Sequence, residues 1–399
     1  MIANSESLRR QNCALVLSTL RSLGPAAHTD ISKISGLSSA TVSGITSQLE
    51  SENILERLPQ EAGPGRGRPK VLFKQNPECA YLIAVRITSD SLEYSLVDFS
   101  GIIRDRIEVS RTSEKTKVAA FIKEIKATLD KLVSRNGLSG EKILMISITS
   151  KGVISSEKPV LLWSAIFGKQ PVDFEQLLSA DWNAVISLTN ETCFIARAIA
   201  NNNQSLSQVC TLSLGHSIGI GIATRSPTGQ LSSTSPAFGH MIHQANGPTC
   251  RCGLKGCIEA YSGFYGILRK AFEAPEDTVP ANFIPLKEMD KIADLARNGD
   301  NMAEYAFRLA GEVLGTGLSR LYSLHGTMPL TITGPGIRYL DLMLPSVKKH
   351  IAQNIQVKFG GMPEITIRDD ETSLVFEGNI LSCLSDLDLR IMELQSGYS

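Results

Sequence analysis

Four side chains of the types that bind metal ions lie close together in the sequence. His240, Cys250, Cys252 and Cys257 follow the pattern His-x9-Cys-x-Cys-x4-Cys. Three thiolates and one imidazole make a closed tetrahedral set for structural zinc, with no position left for a substrate. We therefore predict one structural zinc ion in the segment 237–259 and assign it no catalysis. The alternative is a reduced cluster without a metal.

A second group of chemically distinctive residues is basic. Arg66, Arg68 and Lys70 lie in the glycine- and proline-rich segment 63–70. Glycine and proline keep such a segment thin and extended, and arginines two residues apart can lie along the narrow minor groove of A·T-rich DNA. The segment resembles the core of an AT-hook, so we predict a wing or arm that contacts DNA. The alternative is a flexible linker that is basic by chance.

The elements before this basic segment have the layout of a helix-turn-helix. Apolar residues at helical spacing predict a first helix over residues 8–20. A second short helix follows, with Thr29 as its expected N-cap. After a glycine turn, Ser38 or Ser39 caps a third helix that runs to Leu49, and a strand comes next. The alternative is a generic three-helix bundle.

The third helix is the expected recognition helix. Val42, Ile45 and Leu49 share one face of it, which should be buried. The opposite face carries the small residues Ala40, Ser43, Gly44 and Ser47 rather than the usual base-reading side chains, so we expect modest direct readout and a compensating role for the basic segment. Together they predict that a homodimer or homotetramer binds an A·T-rich palindrome in double-stranded DNA. The DNA-facing residues of this helix are expected to be Ser39, Ala40, Thr41, Ser43, Gly44 and Ser47.

Composition and length indicate the class of protein in which these sites lie. The chain has 399 residues, zero formal net charge and 42% hydrophobic residues, which indicates a globular protein of two or three domains. No apolar run is long enough to span a bilayer, and no signal peptide is evident. We therefore expect a cytoplasmic protein without membrane contact. The five cysteines outside the cluster are scattered, as small core residues are in a reducing compartment.

The remainder of the chain alternates strands and helices. Apolar strands are predicted at 81–87, 92–99 and 143–148, and a helix at 118–133. This alternation is typical of an α/β fold. We therefore divide the chain into a winged helix-turn-helix domain (1–62), a basic wing or linker (63–78) and an α/β effector and oligomerisation domain (79–399).

Three stretches of the α/β part resemble the signature of the ROK family (repressor, open reading frame, kinase). They are residues 214–222, which are rich in glycine, residues 236–240, and the cysteine segment 250–259. The repressor branch of that family carries an N-terminal helix-turn-helix, which its sugar kinases lack. The resemblance covers nearly the whole chain. It implies two lobes of the actin-like ATPase/hexokinase type, with a sugar site in the cleft between them.

The positions that the resemblance assigns to kinase chemistry are altered. Arg86 stands where the family's phosphate loop has an aspartate, Thr88 and Ser89 replace its paired glycines, and Asp90 replaces its threonine. Side chains here oppose the approach of phosphate to backbone amides. Glu191 replaces the aspartate that acts as catalytic base, and its extra methylene displaces the carboxylate. We therefore expect no enzyme activity and assign no catalytic residue.

The implied sugar pocket is only partly intact. Asn190, His240 and Glu259 match the family's sugar-contacting positions, and Glu191 is a variant of a fourth. Ala237 stands where the family has a glutamate that holds sugar hydroxyls, and the loss of this acceptor should weaken or redirect binding. The effector could then be a sugar, a sugar derivative or absent. For Asn190 and Glu259 the alternative is ordinary solvated or helix-capping polarity.

The leading hypothesis is a transcriptional regulator, more specifically a repressor, that controls genes of sugar uptake or metabolism. The first alternative is an ATP-dependent sugar kinase with an accessory DNA-binding domain. An intact glycine phosphate loop would have favoured that alternative. A second alternative is a regulator that has no small-molecule effector and is controlled by a protein partner.

Overall fold

The computed structural model describes residues 5–58, 71–111, 118–227, 229–281 and 283–396 of the chain. The N-terminal part is a winged helix, in which three helices pack on a small antiparallel sheet of strand order β1-β3-β2. Its elements are α1 (Ser5–Leu23), β1 (Ala26–Ala27), α2 (His28–Ser35), α3 (Ser39–Ser51), β2 (Leu55–Arg57) and β3 (Leu72–Gln75).

The ends of the two helices of the helix-turn-helix are fixed by local hydrogen bonds. Ser38 is the N-cap of α3, and its hydroxyl accepts a hydrogen bond from the Thr41 amide at 3.1 Å. Gly36, with a φ of 73°, provides the left-handed turn that ends α2. The prediction that Thr29 caps α2 is wrong. The N-cap is Ala27, two residues earlier, and the Asp30 carboxylate accepts from the Ala27 amide at 3.4 Å.

The first lobe is a five-stranded sheet of order β11-β7-β4-β5-β6. Its central strands β4 and β7 are parallel and buried on both faces, which explains their continuous apolar sequences. A three-stranded sheet, β10-β9-β8, extends from it. The elements are β4 (Tyr81–Ile87), β5 (Ser91–Asp98), β6 (Ile103–Ser110), α4 (Val118–Arg135), β7 (Ile143–Ser150), β8 (Val153–Ile154), β9 (Val160–Trp163), β10 (Val172–Asp173), α5 (Phe174–Leu178), β11 (Val185–Asn190) and α6 (Glu191–Asn202).

The second lobe is a five-stranded sheet of order β14-β13-β12-β15-β16, with most of its helices packed around α10. The elements are β12 (Gln208–Ser213), β13 (Gly219–Arg225), β14 (Leu231–Thr234), α7 (Ile258–Ser262), α8 (Phe264–Ala271), α9 (Leu286–Arg297), α10 (Asn301–His325), β15 (Leu330–Thr333), α11 (Leu340–Ile351), α12 (Ile355–Gly360) and β16 (Ile365–Ile367). The observed strands and helices confirm the predicted α/β class. In the part of the chain that the structure describes, no helix is long and apolar enough to cross a lipid bilayer.

The last helix, α13 (Glu371–Ser396), joins the winged helix to the first lobe. It packs against α6, against β7 and against α1. Arg21 of α1 donates to both carboxylate oxygens of Asp388 of α13, at 2.6 and 2.8 Å, and that carboxylate is buried. Apolar side chains of the winged helix, of β4 and of α13 form one continuous core. The winged helix is therefore packed on the first lobe rather than separated from it.

Candidate metal centre and ligand cleft

The loop between β14 and α7 gathers the four predicted metal ligands. The ligand atoms of His240, Cys250, Cys252 and Cys257 all lie within 4.8 Å of one another. The Cys250 Sγ is 3.7 Å from His240 Nδ1, and the Cys252 Sγ is 3.7 Å from the Cys257 Sγ. Two sulfur ligands of a tetrahedral zinc lie about 3.8 Å apart, because each Zn–S bond is about 2.3 Å. Donor chemistry and spacing therefore fit zinc.

The backbone of this loop folds tightly because glycine occupies the position where two of its segments come closest together. Gly256 has a φ of 74°, and a Cβ at this position would lie 1.6 Å from the carbonyl oxygen of Gln244. The next residue, Cys257, forms a bridge with Ile242 on the other side of the loop. The hairpin so formed turns its cysteines toward one point.

Cys250 is the most strongly hydrogen-bonded of the three thiols. The hydrogen bond with Cys257 lowers the pKa of the Cys250 thiol, and bonds with His240 and Tyr265 add to that effect, although burial opposes it. The hydroxyl of Tyr265 lies 3.4 Å from the Cys250 Sγ. For Cys250 these contacts favour the thiolate, which is the form of cysteine that binds metals, whereas the same hydrogen bond raises the pKa of Cys257.

A cleft of about 1070 Å³ opens between the two lobes, next to the metal ligands. All four predicted effector-binding residues line it: Asn190, Glu191, His240 and Glu259. His240 therefore borders both sites. Its ring meets the ring of Trp163 edge to face, with centroids 5.1 Å apart, and Trp163 also lines the cleft.

Two of these residues are held by the protein itself. Asn190 is the N-cap of α6, where its side-chain oxygen accepts from the Thr192 amide at 3.1 Å, and its amide group donates to the carbonyl oxygen of Gly152. The helix-capping role that we considered for Asn190 is therefore present in the structure. Asn190 nevertheless lines the wall of the cleft, where a bound ligand can contact it.

Of the two residues, Glu259 has more of its hydrogen-bonding capacity used by the protein. One of its carboxylate oxygens accepts from the Ile218 amide at 3.1 Å, and the other accepts from Arg251 at 3.0 Å. Only 2% of the residue is exposed. Glu259 thus fastens the metal-binding loop to the start of the second lobe's central hairpin.

Glu191 lies at the centre of an ion-pair network. Its carboxylate oxygens accept from Arg86 at 3.1 and 3.3 Å, and the Lys151 amino group lies 3.7 Å away. Burial alone would raise the pKa of Glu191, but the charges of Arg86 and Lys151 outweigh burial and lower it. A carboxylate that is buried, ionised and held by two cations is a poor acceptor for a substrate proton.

Sequence models of two families match the chain. The model of the ROK family matches residues 82–378, and that of the MarR family matches residues 11–62. The chain belongs to the ROK family. This confirms the predicted family.

Related proteins cover nearly the whole chain. The xylose repressor of Bacillus spizizenii is 24% identical over 373 residues, which are 91% of this chain and 92% of that protein. The DNA-binding transcriptional repressor Mlc of Escherichia coli is 21% identical over 359 residues, 87% of this chain and 86% of its own length.

Solved structures show the same architecture. The crystal structure of a ROK family transcriptional regulator, described as a homologue of the E. coli MLC protein, superposes with a TM-score of 0.76 at 18% identity, covering 98% of this chain and 100% of that one. The ROK hexokinase from Thermus thermophilus superposes with a TM-score of 0.56 at 17% identity, covering 76% of this chain and 97% of its own. The predicted two-lobed fold is confirmed.

The loops that a ROK kinase would use for phosphate are filled by side-chain contacts. In the first loop, the Thr88 hydroxyl bonds to the carboxylate of Asp90 at 2.9 Å. In the second, the ring of His216 stacks on Phe283 with centroids 4.7 Å apart. The glycine-containing turn 333–337 follows β15, and its Gly334 precedes a 3-10 helix that leads into α11, so this turn serves as a strand-to-helix connection.

The MarR-type part presents the predicted recognition helix to solvent. Val42, Ile45 and Leu49 of α3 are buried as predicted, and Thr41 is half-buried. The other predicted DNA-facing residues of this helix are exposed: Ser39, Ala40, Ser43, Gly44 and Ser47. The basic residues Arg66, Arg68 and Lys70 lie outside the described residues.

Four residues of the cleft and of its ion-pair network were missed in the sequence. Lys151 follows β7 directly, and the rule that ligands bind at the carboxyl ends of parallel strands could have found it. Glu371 and Thr372 reach the network from the start of α13, where Thr372 accepts from Arg86 at 3.0 Å. For these two and for Trp163 the sequence holds no such signal, because their position depends on how distant elements pack.

Proposed function

We propose that this chain is a transcriptional repressor that binds DNA through its winged helix and responds to a small molecule in the cleft. The observation that carries this proposal is the joining of a MarR-type winged helix to a ROK domain through one continuous core. Relatives of similar length include two xylose repressors and the N-acetylglucosamine repressor of E. coli. The genes under control would then serve sugar uptake or metabolism.

The kinase alternative is disfavoured by the network around Glu191. The position of the catalytic base is occupied by a carboxylate that two cations hold, and Arg86 stands where the family has an aspartate. A base of lowered pKa abstracts protons less readily. The cleft is therefore assigned to binding rather than to phosphoryl transfer.

DNA contacts are assigned to the exposed face of α3 and to the basic segment that follows β2. Within the described part of the winged helix, Arg10, Arg57 and Lys74 already pair with carboxylates, at 2.6 to 3.1 Å. Lys33 on α2 and Arg9 on α1 are also exposed, and Arg9 donates to the side-chain oxygen of Gln48 on α3. We therefore assign most of the phosphate and minor-groove contacts to Arg9, Lys33 and the arm residues Arg66, Arg68 and Lys70.

The operator is proposed to be an A·T-rich palindrome, bound by a homodimer or homotetramer. The small exposed side chains of α3 offer few bidentate base contacts, so the width and deformability of the DNA carry more of the specificity. Two-fold symmetry of the protein would be matched by two half-sites in the DNA.

Zinc is proposed as a structural ion held by His240, Cys250, Cys252 and Cys257. Four protein ligands leave no open position, so the ion supplies cross-linking rather than Lewis-acid chemistry. It would fix His240 in the cleft wall and hold the segment that leads to Glu259.

The test is a pull-down of fragmented genomic DNA with the purified full chain, followed by sequencing. We expect enrichment of a small set of sites that share an A·T-rich palindrome. The matched control is Ser43→Glu, which places a negative charge on the exposed face of α3 without disturbing the core. Fragments captured equally by both proteins, or no enriched fragments at all, would show that the winged helix does not act as proposed.

A further inference from the structure

The charges of the cleft discriminate between classes of sugar. We propose that the cleft takes an uncharged or amino sugar and rejects phosphorylated and acidic sugars. This inference rests on the proposed function, since it names the chemical class of the effector. Among the described residues, the cleft is lined by two basic side chains, Arg86 and Lys151, and by five carboxylates: Asp90, Glu93, Glu108, Glu191 and Glu259.

Both cations of the cleft are already paired. Arg86 contacts Glu191 through two of its nitrogens, and its remaining terminal nitrogen lies 3.4 Å from Glu93. Lys151 lies 3.7 Å from both Glu191 and Glu371. A phosphate group that drew Arg86 or Lys151 away from Glu191 would leave that buried carboxylate without a partner. The cations therefore act as partners of the protein's own acids rather than as receptors for an anion.

His216 adds no positive charge to the cleft, because burial lowers its pKa and its ring is neutral at pH 7. Glu259 is paired with Arg251. The excess negative charge of the cleft is therefore carried by Asp90, Glu93 and Glu108, and it repels an entering anion.

The backbone of the first loop offers no substitute binding site for phosphate. Thr88 replaces a glycine there, and its hydroxyl is engaged by Asp90 and by the carbonyl oxygen of Ser91 at 3.0 Å. By the family resemblance, Asp90 stands where a phosphate oxygen would come, and its carboxylate is exposed. Its negative charge repels an approaching phosphate, and solvent weakens this repulsion.

Uncharged polyols find a suitable surface in the same cleft. Hydroxyl groups of Ser233, Thr234 and Ser235 line one wall, and the half-buried indole of Trp163 lines another. Sugar hydroxyls can donate to the half-buried carboxylate of Glu93, and an ammonium group of an amino sugar would be attracted by it. A volume of about 1070 Å³ is large enough for a mono- or disaccharide.

The first experiment measures binding of matched sugars to the full chain by isothermal titration calorimetry. The probes are xylose, glucose, glucosamine and N-acetylglucosamine, each beside glucose 6-phosphate, N-acetylglucosamine 6-phosphate and glucuronate. We expect at least one uncharged or amino sugar to bind, and every phosphorylated or acidic counterpart to bind at least tenfold more weakly. Equal or tighter binding of an anionic form, or no binding across the whole panel, would overturn the inference.

A gain-of-function variant tests the physical cause. Glu191→Gln releases Arg86 and Lys151 and should raise the affinity for inorganic phosphate at least tenfold. Glu108→Gln is the matched control, because it removes a cleft carboxylate without freeing either cation. Glu371→Gln, which is less buried, should give a smaller gain and serves if Glu191→Gln does not fold. Unchanged phosphate affinity in both releasing variants would overturn the inference.

These results separate the inference from the function on which it rests. If anionic sugars bind while operator DNA is still recognised, the inference fails and the repressor assignment stands. If uncharged sugars are preferred while no DNA is recognised, the cleft is correctly described and the repressor assignment fails.

Discussion

At the residue scale, the two departures from the ROK pattern lie in direct contact. Arg86 replaces an aspartate of the phosphate loop, and Glu191 replaces the catalytic aspartate. In the folded chain the two side chains form one ion pair, although they are 105 residues apart. Glu191 keeps the negative charge of the aspartate it replaces, so the change at position 86 is the one that gives this buried carboxylate a cationic partner. The two substitutions replace both the aspartate of the phosphate loop and the aspartate that acts as the base.

The first prediction at this scale concerns catalysis. The purified protein should show no ATP-dependent phosphorylation of glucose, N-acetylglucosamine, mannose or xylose above a control without enzyme, because Glu191 is held by Arg86 and Lys151. A coupled assay of ADP release measures this. Turnover on the order of 1 per second with any of these sugars would show that the chain is an active sugar kinase and would contradict this prediction.

Several residues of this site could be predicted from the sequence, but the contacts between them could not. The spacing of the metal ligands was informative because all four lie on one loop, where sequence distance limits spatial distance. Arg86 and Glu191 were both recognised as departures, but their pairing depends on the packing of β4 against β7 and β11. Lys151 and Thr372 enter the network through the same packing.

The second prediction concerns the metal centre. The full chain should carry one zinc ion, and Cys257→Ser should lose it, because the tetrahedral set would lack a ligand. Loss of the ion should loosen the wall between His240 and Glu259 and abolish the effector response, while the winged helix stays folded. Metal analysis and the DNA-binding assay measure both effects.

The control for this prediction is Cys193→Ala, which removes a buried thiol outside the cluster. It should keep its zinc. A wild-type chain without stoichiometric zinc would refute the metal assignment. A Cys257→Ser variant that loses zinc but regulates normally would limit the ion to local support of the loop.

At the element scale, α13 is the structural link between cleft and winged helix. Its first residues, Glu371 and Thr372, contact the ion-pair network, and Asp388 holds Arg21 of α1. The sequence analysis placed no element at this end of the chain. The polar positions of α13 are buried against two other parts of the molecule, so the apolar periodicity that marks a surface helix is weak.

The third prediction tests the contact between α13 and α1. Arg21→Met should lower the free energy of unfolding by about 3–5 kcal/mol, because it leaves the buried Asp388 carboxylate without a partner. The double variant Arg21→Met/Asp388→Leu should be close to the wild type, because no charge is left to bury. Urea denaturation followed by circular dichroism measures both. Equal destabilisation in the single and double variants would mean that packing, not charge, dominates this contact.

The fourth prediction belongs to the DNA-contacting elements. Replacing both Arg66 and Arg68 with alanine should weaken operator binding more than Ser43→Ala does, because the arm would reach the minor groove whereas α3 offers only small side chains. It should also reduce the salt dependence of binding. Fluorescence anisotropy at two salt concentrations measures both quantities. Equal or opposite effects of the two variants would remove the minor-groove assignment.

At the scale of the whole molecule, the fold could be predicted from the sequence, but the packing of the winged helix on the first lobe could not. The alternation of strands and helices, the glycine-rich stretches and the cysteine loop indicated two lobes behind a helix-turn-helix, and the family match confirms this. The continuous core between winged helix and first lobe rests on residues from three separate parts of the chain. Such long-range packing leaves no local signature in the sequence.

This shared core gives the molecule a route by which cleft and DNA can influence each other. A ligand that binds one arrangement of the lobes more tightly shifts the population of arrangements, and the shift reaches α1 because α13 packs against both. The coupling is reciprocal, so operator DNA should change the affinity of the cleft by the same factor.

The most direct test of the repressor assignment is a titration of operator DNA with the full chain, with and without the sugar that binds the cleft. Fluorescence anisotropy on the operator recovered by pull-down gives both dissociation constants. We predict that the sugar changes operator affinity about tenfold, which corresponds to about 1.4 kcal/mol of coupling. An operator affinity that stays within twofold at saturating sugar would contradict a ligand-responsive repressor.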